Sequence, residues 1–532
     1  MDGVTRRKLL LGSAAAAVLA GCSGPTGTRP GPAPSPSSPP PSPVPGVGDD
    51  AFSLGVASGD PLPDGVVLWT RLAPHPTEGG GMPDRPVPVG WEVAEDEGFG
   101  RMVSRGEEVA TPRLAHSVHV DVRGLRPGRE YFYRFRAGTA RSPVGRTRTA
   151  PAPDASPGLL RLALANCQDF QNGYWPAYAA IARDDLDLVL HVGDYIYEGD
   201  PDSRFPDRRH TTPQRPGLGT LADYRNRYGQ YKQDPALRAA HAAFPWVLTW
   251  DDHEVQNNYA GLVGTGEPPA DFARRRAVAY QAYWEHVPIR AVVRPGSPDL
   301  RIYRRLAFGD LLTVSVLDTR QYRTDQPCGA PQDIGPASCG QRNTAGTLTG
   351  GEQEAWLLAG LRGSWARWNA IAQQTMMAQL HGRLGTGPVL ANLDQYDGYV
   401  PYRSRLLAGV RDSGARNPVV LSGDLHSAWV NDLRVDFDRP ETPVVATEFV
   451  ATSISSAFFL IGQRFVEEQN RCYNPHVRYF NGDKRGYTRI EVTRGEWRAQ
   501  MRVAQSIDRP DATVTTDATY VVEDGRPGAH RA

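Results

Sequence analysis

Four short apolar runs, at residues 159–165, 188–192, 246–250 and 419–422, each end in a polar cluster, and this pairing constrains the chain more than any other feature. Runs that are apolar at nearly every position suit strands buried on both faces, as in parallel sheets covered by helices. Helical patterns fall between them, at 174–183, 271–286 and 352–361, and further strands are expected at 311–317 and within 487–503. Thr349, three residues before Glu352, reads as a capping box opening the last of these helices.

The clusters are Asn166-Cys167-Gln168, then Gly193-Asp194-Tyr195-Ile196-Tyr197-Glu198, then Asp251-Asp252-His253-Glu254 with Asn257 and Asn258, and finally Gly423-Asp424-Leu425-His426. Open α/β sheets bind ligands outside the carboxyl ends of their strands, so four such clusters should converge in space. One such cluster is weak evidence, since a Gly-Asp after a strand is ordinarily a turn; four clusters in one domain favour a site. A thiol, a phenol, imidazoles and carboxylates suit no single kind of metal ion. A ligating phenolate calls for a strongly Lewis-acidic ion such as Fe(III), because free tyrosine titrates near pH 10. The remaining carboxylates and amide oxygens suit a hard cation, Ca²⁺ or Mg²⁺. A mixed metal centre is the expectation.

Residues 51–150 follow a different grammar: short alternating runs such as 66–69 and 117–122, separated by Gly, Pro and Asp turns, read as an all-β sandwich. The run Leu125-Arg126-Pro127-Gly128-Arg129-Glu130-Tyr131 resembles the tyrosine corner of fibronectin-III domains. Ahead of it, residues 23–50 hold ten prolines among Ser and Gly and read as an extended tether. Residues 1–22 read as an address. Arg6-Arg7 before an apolar stretch at 9–20 resembles a twin-arginine export signal, and Leu19-Ala20-Gly21-Cys22 resembles a lipobox that would place a lipid on Cys22. The expected organisation is therefore a signal at 1–22, a tether at 23–50, a sandwich at 51–150, a catalytic domain at 157–505 and a tail at 506–532. The expected location is the cell surface or the outside of the cell, with the twin-arginine machinery as export partner and the lipid anchor as the sole membrane attachment.

Charge excludes other classes. With 59 basic and 59 acidic residues the chain lacks the positive field that nucleic-acid binding requires. Five cysteines are too few for a disulfide scaffold, and no uncharged apolar stretch reaches the 18 residues of a membrane span. Cys328 and Cys339, eleven residues apart in a loop rich in Gly, Pro and Gln, are expected to pair in an oxidising compartment, leaving Cys472 as a reduced, buried thiol.

The ordered set Asn-Cys-Gln at 166–168, Gly-Asp-Tyr-Ile-Tyr-Glu at 193–198, Trp-Asp-Asp-His-Glu-Val-Gln-Asn-Asn at 250–258, Gly-Asp-Leu-His-Ser at 423–427 and Asn-Pro-His-Val-Arg-Tyr-Phe at 474–480 resembles the PhoD family of alkaline phosphatases and phosphodiesterases. These belong to the calcineurin-like metallophosphoesterases, and the likeness runs over roughly residues 50–505. The resemblance implies a four-layer αββα sandwich preceded by the fibronectin-III-like domain. It also implies Fe(III) held by Cys167, Asp194 and Tyr197, with Asp194 bridging to calcium. Asp424 and His426 fall where related enzymes carry Gly-His-x-His, so the metal each contacts stays open. Asp252 falls at a metal-binding asparagine position, and His253 at that of the catalytic histidine. Asn257, His476 and Arg485 are candidates for substrate contacts.

With no Gly-x-Ser-x-Gly nucleophile elbow in the chain, the expected chemistry is direct attack on a phosphate ester by a metal-bound hydroxide or oxide, with His253 protonating the leaving oxygen. The expected substrates are small phosphate esters or cell-envelope phosphodiesters. A phosphodiesterase or phospholipase D-type activity is the alternative within enzymes. Outside enzymes, the alternative is a calcium-binding surface adhesion lipoprotein, against which the thiol and phenol argue.

Overall fold

The computed structural model describes residues 44–211, 217–329, 334–458 and 462–532, and contacts join Ser42–Ala532 into one compact unit. The expected signal and lipid-bearing Cys22 lie outside the described residues. At the centre stand three parallel strands, Leu159–Ala165, Leu188–His191 and Pro245–Leu248, aligned so that Leu190 pairs with Leu164 on one side and Val247 on the other. They are the first three apolar runs of the sequence. A second sheet of seven strands is parallel through Leu312–Val316, Trp368–Ala372, Pro418–Ser422 and Ala446–Val450, the third of these being the fourth run.

Strand alternation explains how the two sheets stack. Leu160, Leu162 and Leu164 enter a core shared with Val314, Val316, Leu421 and Phe449 of the second sheet. Ala163 and Ala165, one residue out of phase, enter a core with Tyr178, Ile181, Tyr228 and Tyr231 from the helices Pro176–Ile181 and Leu221–Lys232. On the far side, Ile371 and Val420 meet Leu357, Leu361, Leu406 and Leu407 of helices Gly350–Arg362 and Val400–Asp412.

The first sheet has ten strands, and its edges depart from the expected boundaries. Val56–Leu62 pairs in parallel with Pro245–Leu248 through Ser58 with Pro245 and Gly59 with Trp246, so the sandwich region shares its sheet with the catalytic region. Its other sheet, including Val87–Ala94 and Glu130–Ala137, packs back through Val89, Tyr133 and Phe135. The Tyr131 hydroxyl accepts from the Arg126 amide at 2.9 Å, the back-bond expected of a tyrosine corner. At the opposite edge, stretch 487–503 is a hairpin of Gly486–Thr493 and Glu496–Ala504. The expected tail at 506–532 is not one: Val514–Glu523 and Arg526–Arg531 continue the sheet.

Two local expectations are also corrected. Thr349 makes no cap, because its hydroxyl is engaged with Tyr402 Oη at 2.6 Å, while Glu352 accepts from Tyr303 Oη at 2.9 Å. A capping box does open the helix at Leu221, between Thr220 and Asp223. Cys328 and Cys339 form a disulfide, whereas Cys472 is exposed rather than buried, since its helix turns Val466 and Asn470 inward.

Candidate metal centre

Each of the four strands breaks at its carboxyl end into a left-handed backbone turn or a tight loop. Cys167, Asp194, Asp424 and His426 have φ of 54°, 57°, 65° and 54°. For non-glycine residues this costs about 1–3 kcal/mol each and persists only where the surroundings impose it. Lacing between loops imposes it here. The amides of Cys167 and Gln168 donate to the carbonyls of Gly193 and Asp194, each at 3.1 Å. Glu254 accepts from the amides of Asp194, Tyr195 and Asp251 at 3.1, 2.6 and 2.8 Å, tying the second strand end to the third. Gly193 is required at its place: its φ is 115°, and a Cβ there would lie 2.7 Å from the Asp251 amide.

The turns bring the clusters together. Cys167, Asp194 and His426 offer donor atoms within 4.8 Å of one another, as do Asp194, Asp252 and His253, and the four carboxylates of Asp194, Asp251, Asp252 and Asp424. Asp194 belongs to all three sets. Tyr197 donates to Asp194 Oδ2 at 2.9 Å, lies 3.0 Å from His426 Nε2 and accepts from Ser456 Oγ at 2.7 Å. All six expected metal-binding residues, Cys167, Asp194, Tyr197, Asp252, Asp424 and His426, thus meet in one place.

His253 sits against them, its ring 4.1 Å from that of Tyr197 and its Nδ1 2.7 Å from Glu198 Oε2. Burial pulls its pKa down, but Glu198, Asp252 and Asp194 outweigh burial and hold it well above the ordinary histidine value. Asp252 has burial against it and Arg320 and His253 in its favour, and its pKa is lowered to about 2. Burial pushes Asp424 up to about 6, against the pull of Arg320.

The candidate substrate residues divide. The Asn257 amide donates to Glu198 Oε1 at 2.6 Å, and the side chain stands exposed at the rim. Arg485 is buried, with its guanidinium bonded to the His426 carbonyl and, at 2.6 Å, to that of Gly482. His476 does not come to the cluster: its Nε2 is 2.8 Å from the Gln379 carbonyl, its ring packs on Phe437, and its charged neighbours are Arg403, Asp397 and Arg434.

Sequence reading missed Arg320, which is ion-paired with Asp251, Asp252, Asp394 and Asp424. A signal for it existed. Asp318-Thr319-Arg320 follows the apolar strand Leu312–Val316, the same grammar as the other four ends. The roles of Glu198 and Glu254 were hidden within quoted motifs.

The donor set fits metal cations. Asp252 Oδ1 is buried with no hydrogen-bond partner, the Arg320 guanidinium standing 3.6 Å away, a costly arrangement for a carboxylate oxygen that a metal cation would relieve. Burial, then Asp194 and Asp424, pushes the Cys167 thiol up; burial, then Asp194 and Cys167, pushes the Tyr197 phenol up. On such groups a bound metal ion would take the proton's place, the proton being released to solvent.

Residues 162–501 match the family description "PhoD-like phosphatase", and residues 38–151 its N-terminal domain. Alkaline phosphatase D of Bacillus subtilis (strain 168) is 46% identical over 485 residues, spanning 90% of this chain and 82% of the relative. A solved structure titled "Structure of PhoD" superposes with a TM-score of 0.85 at 45% identity, covering 91% of this chain and 92% of that one. Stacked sheets with a buried donor cluster at their strand ends, together with these likenesses, define a phosphatase. The chain belongs to the PhoD-like phosphatase family.

Proposed function

We propose that this chain is an exported alkaline phosphatase that hydrolyses phosphate monoesters and diesters at a centre of Fe(III) and calcium. The observation that carries the reading is the meeting at Asp194 of two groups, the first Cys167, Tyr197 and His426, the second Asp252 and Asp424. The first group would hold iron, with thiolate and phenolate as its donors, and the carboxylates would hold calcium. These cations would supply positive charge to the phosphate oxygens and lower the pKa of the attacking water.

The chain's own groups do the rest. Glu198 fixes His253 through Nδ1, which leaves Nε2 to carry a proton to the departing ester oxygen. Glu198, bonded to Nδ1, also helps hold the His253 pKa above the ordinary histidine value, which favours keeping that proton. The Asn258 amide, donating at 2.6 Å, fixes Asp252. Arg485 holds the His426 carbonyl and thus the turn that presents His426.

The stacked sheets with helical outer faces support an αββα metallophosphoesterase sandwich, and Tyr131 supports a fibronectin-III-like fold for the N-terminal region. Export by the twin-arginine route and a lipid on Cys22 belong to the same proposal and rest on residues 1–22 alone. An adhesion protein that merely stores calcium has no use for a thiol and a phenol beside its carboxylates.

One observation favours the diester or phospholipase reading. An apolar cavity of about 160 Å³, lined by Leu380, Leu384, Leu390, Phe458, Phe465 and Val466, reaches Leu425, the residue between Asp424 and His426. Purified enzyme assayed side by side on a chromogenic phosphomonoester, a chromogenic phosphodiester and phosphatidylcholine tests both readings. Turnover of the monoester together with the diester supports the first; turnover of the diester or of phosphatidylcholine without the monoester supports the second; no turnover of any, with metals bound, sinks both.

A further inference from the structure

Arg320 is completely buried, yet no part of the reaction so far requires it. Its guanidinium ion-pairs with Asp251 and lies 3.6 Å from Asp252 Oδ1, 2.9 Å from Asp394 Oδ2 and 3.4 Å from Asp424 Oδ1. Asp394 has a second guanidinium, Arg323, at 3.0 Å and is balanced by it. Among the described residues, Arg320 is therefore the always-charged group shared by Asp251, Asp252 and Asp424, the three carboxylates that crowd together with Asp194; His253, beside Asp252 and Asp194, is charged only while protonated. Buried like charges at this spacing repel strongly unless a cation stands among them. A guanidinium differs from a metal ion in being tethered, always charged and planar, so it fixes orientation as well as charge.

We infer that Arg320 is a built-in cation of the centre, taking a place among Asp251, Asp252 and Asp424 that would otherwise hold one more divalent ion, and holding these carboxylates in position before metals arrive. The inference rests on the metal-centre reading of the same site. Arg320 is a positioning residue: it spaces Asp252 and Asp424 for the cation they share with Asp194, and it prevents Asp251 from recruiting another.

Calcium titration by calorimetry, with metal content by mass spectrometry and melting of the full chain with and without Ca²⁺, tests this without recourse to activity. Arg320→Gln should bind one more calcium per chain than wild type, melt lower without calcium and regain most of that loss with it. Arg320→Lys should bind the wild-type number. Arg320→Gln combined with Asp251→Asn restores the charge balance; it should fold without calcium and bind the wild-type number, which keeps the test open if the single variant does not fold. An unchanged calcium number and unchanged melting in Arg320→Gln would overturn the inference while leaving the metal centre standing, as would a double variant that fails to fold or binds the extra ion. A wild type that binds no calcium would overturn the calcium reading itself, and the inference with it.

Discussion

Tyr197 donates its phenolic hydrogen to Asp194 Oδ2 at 2.9 Å, although the two residues stand three apart directly after a strand. In an extended strand, residues three apart point to opposite faces. The left-handed φ of 57° at Asp194 redirects the chain so that both side chains turn to the same point, where Cys167 and His426 also arrive. That one strained residue lets the Asp-x-x-Tyr spacing converge, as the proposed ligand pair requires, and Glu254, by binding the amides of Asp194 and Tyr195, holds the strain.

Glu254→Gln should therefore lower stability by about 1–3 kcal/mol, the cost of weakening charge-assisted bonds to buried amides. It should also reduce metal retention, although Glu254 is no ligand. Denaturant melting and metal content after dialysis check both effects.

Chelation of calcium should abolish turnover, and added Ca²⁺ should restore it, because Asp194, Asp252 and Asp424 offer more carboxylate than iron alone uses. Full turnover by protein shown to retain no calcium would remove calcium from the account.

In the proposed mechanism the His253 proton should set the alkaline limit. Its pKa lies above the ordinary value because Glu198, Asp252 and Asp194 together outweigh burial, so the protonated form, and the rate that depends on it, falls as pH rises through that value. Glu198→Gln removes one of these carboxylates and should move the alkaline limb of the pH–rate profile to lower pH. His253→Ala should cost roughly 10²–10⁴-fold in kcat. A limb that stays in place in Glu198→Gln would separate His253 from the proton transfer.

Cys328→Ser with Cys339→Ser should lower the melting temperature while leaving the metal centre intact, since the bridge closes a loop outside the donor set. A loop of this size corresponds to about 3 kcal/mol in the chain-entropy account. Alkylation of the native protein should modify exposed Cys472 and spare buried Cys167.

The strand ends were legible in the sequence because strands buried on both faces must be apolar throughout, which makes each polar cluster after them conspicuous. Cys167, Asp194, Asp252, His253, Asp424 and His426 were found in this way, and the structure gathers them. Val56–Leu62 was not legible as the strand joining both regions, since Val-Ala-Ser-Gly-Asp-Pro-Leu reads as a turn. The last two strands escaped because Arg526–Arg531 is polar and mostly exposed, and because the apolar stripe of Val514–Glu523 is short, Ala518, Tyr520 and Val522 reaching the core behind an exposed Thr515-Thr516-Asp517. His476 misled because it lies in the Asn-Pro-His-Val-Arg-Tyr-Phe stretch that carries part of the family resemblance, whereas packing on Phe437 and the bond to the Gln379 carbonyl decide its place. Thr349 misled because a cap depends on whether the hydroxyl is free, and Tyr402, 53 residues away in sequence, takes it.

The most direct test of the iron–phenolate centre is the visible spectrum of the purified enzyme, taken with its iron content and compared between wild type and Tyr197→Phe. A phenolate bound to Fe(III) absorbs visible light by charge transfer, so the wild type should be coloured and contain about one iron per chain, and Tyr197→Phe should lose the colour with most of its turnover. A colourless, iron-free wild type that turns over fully would contradict the account.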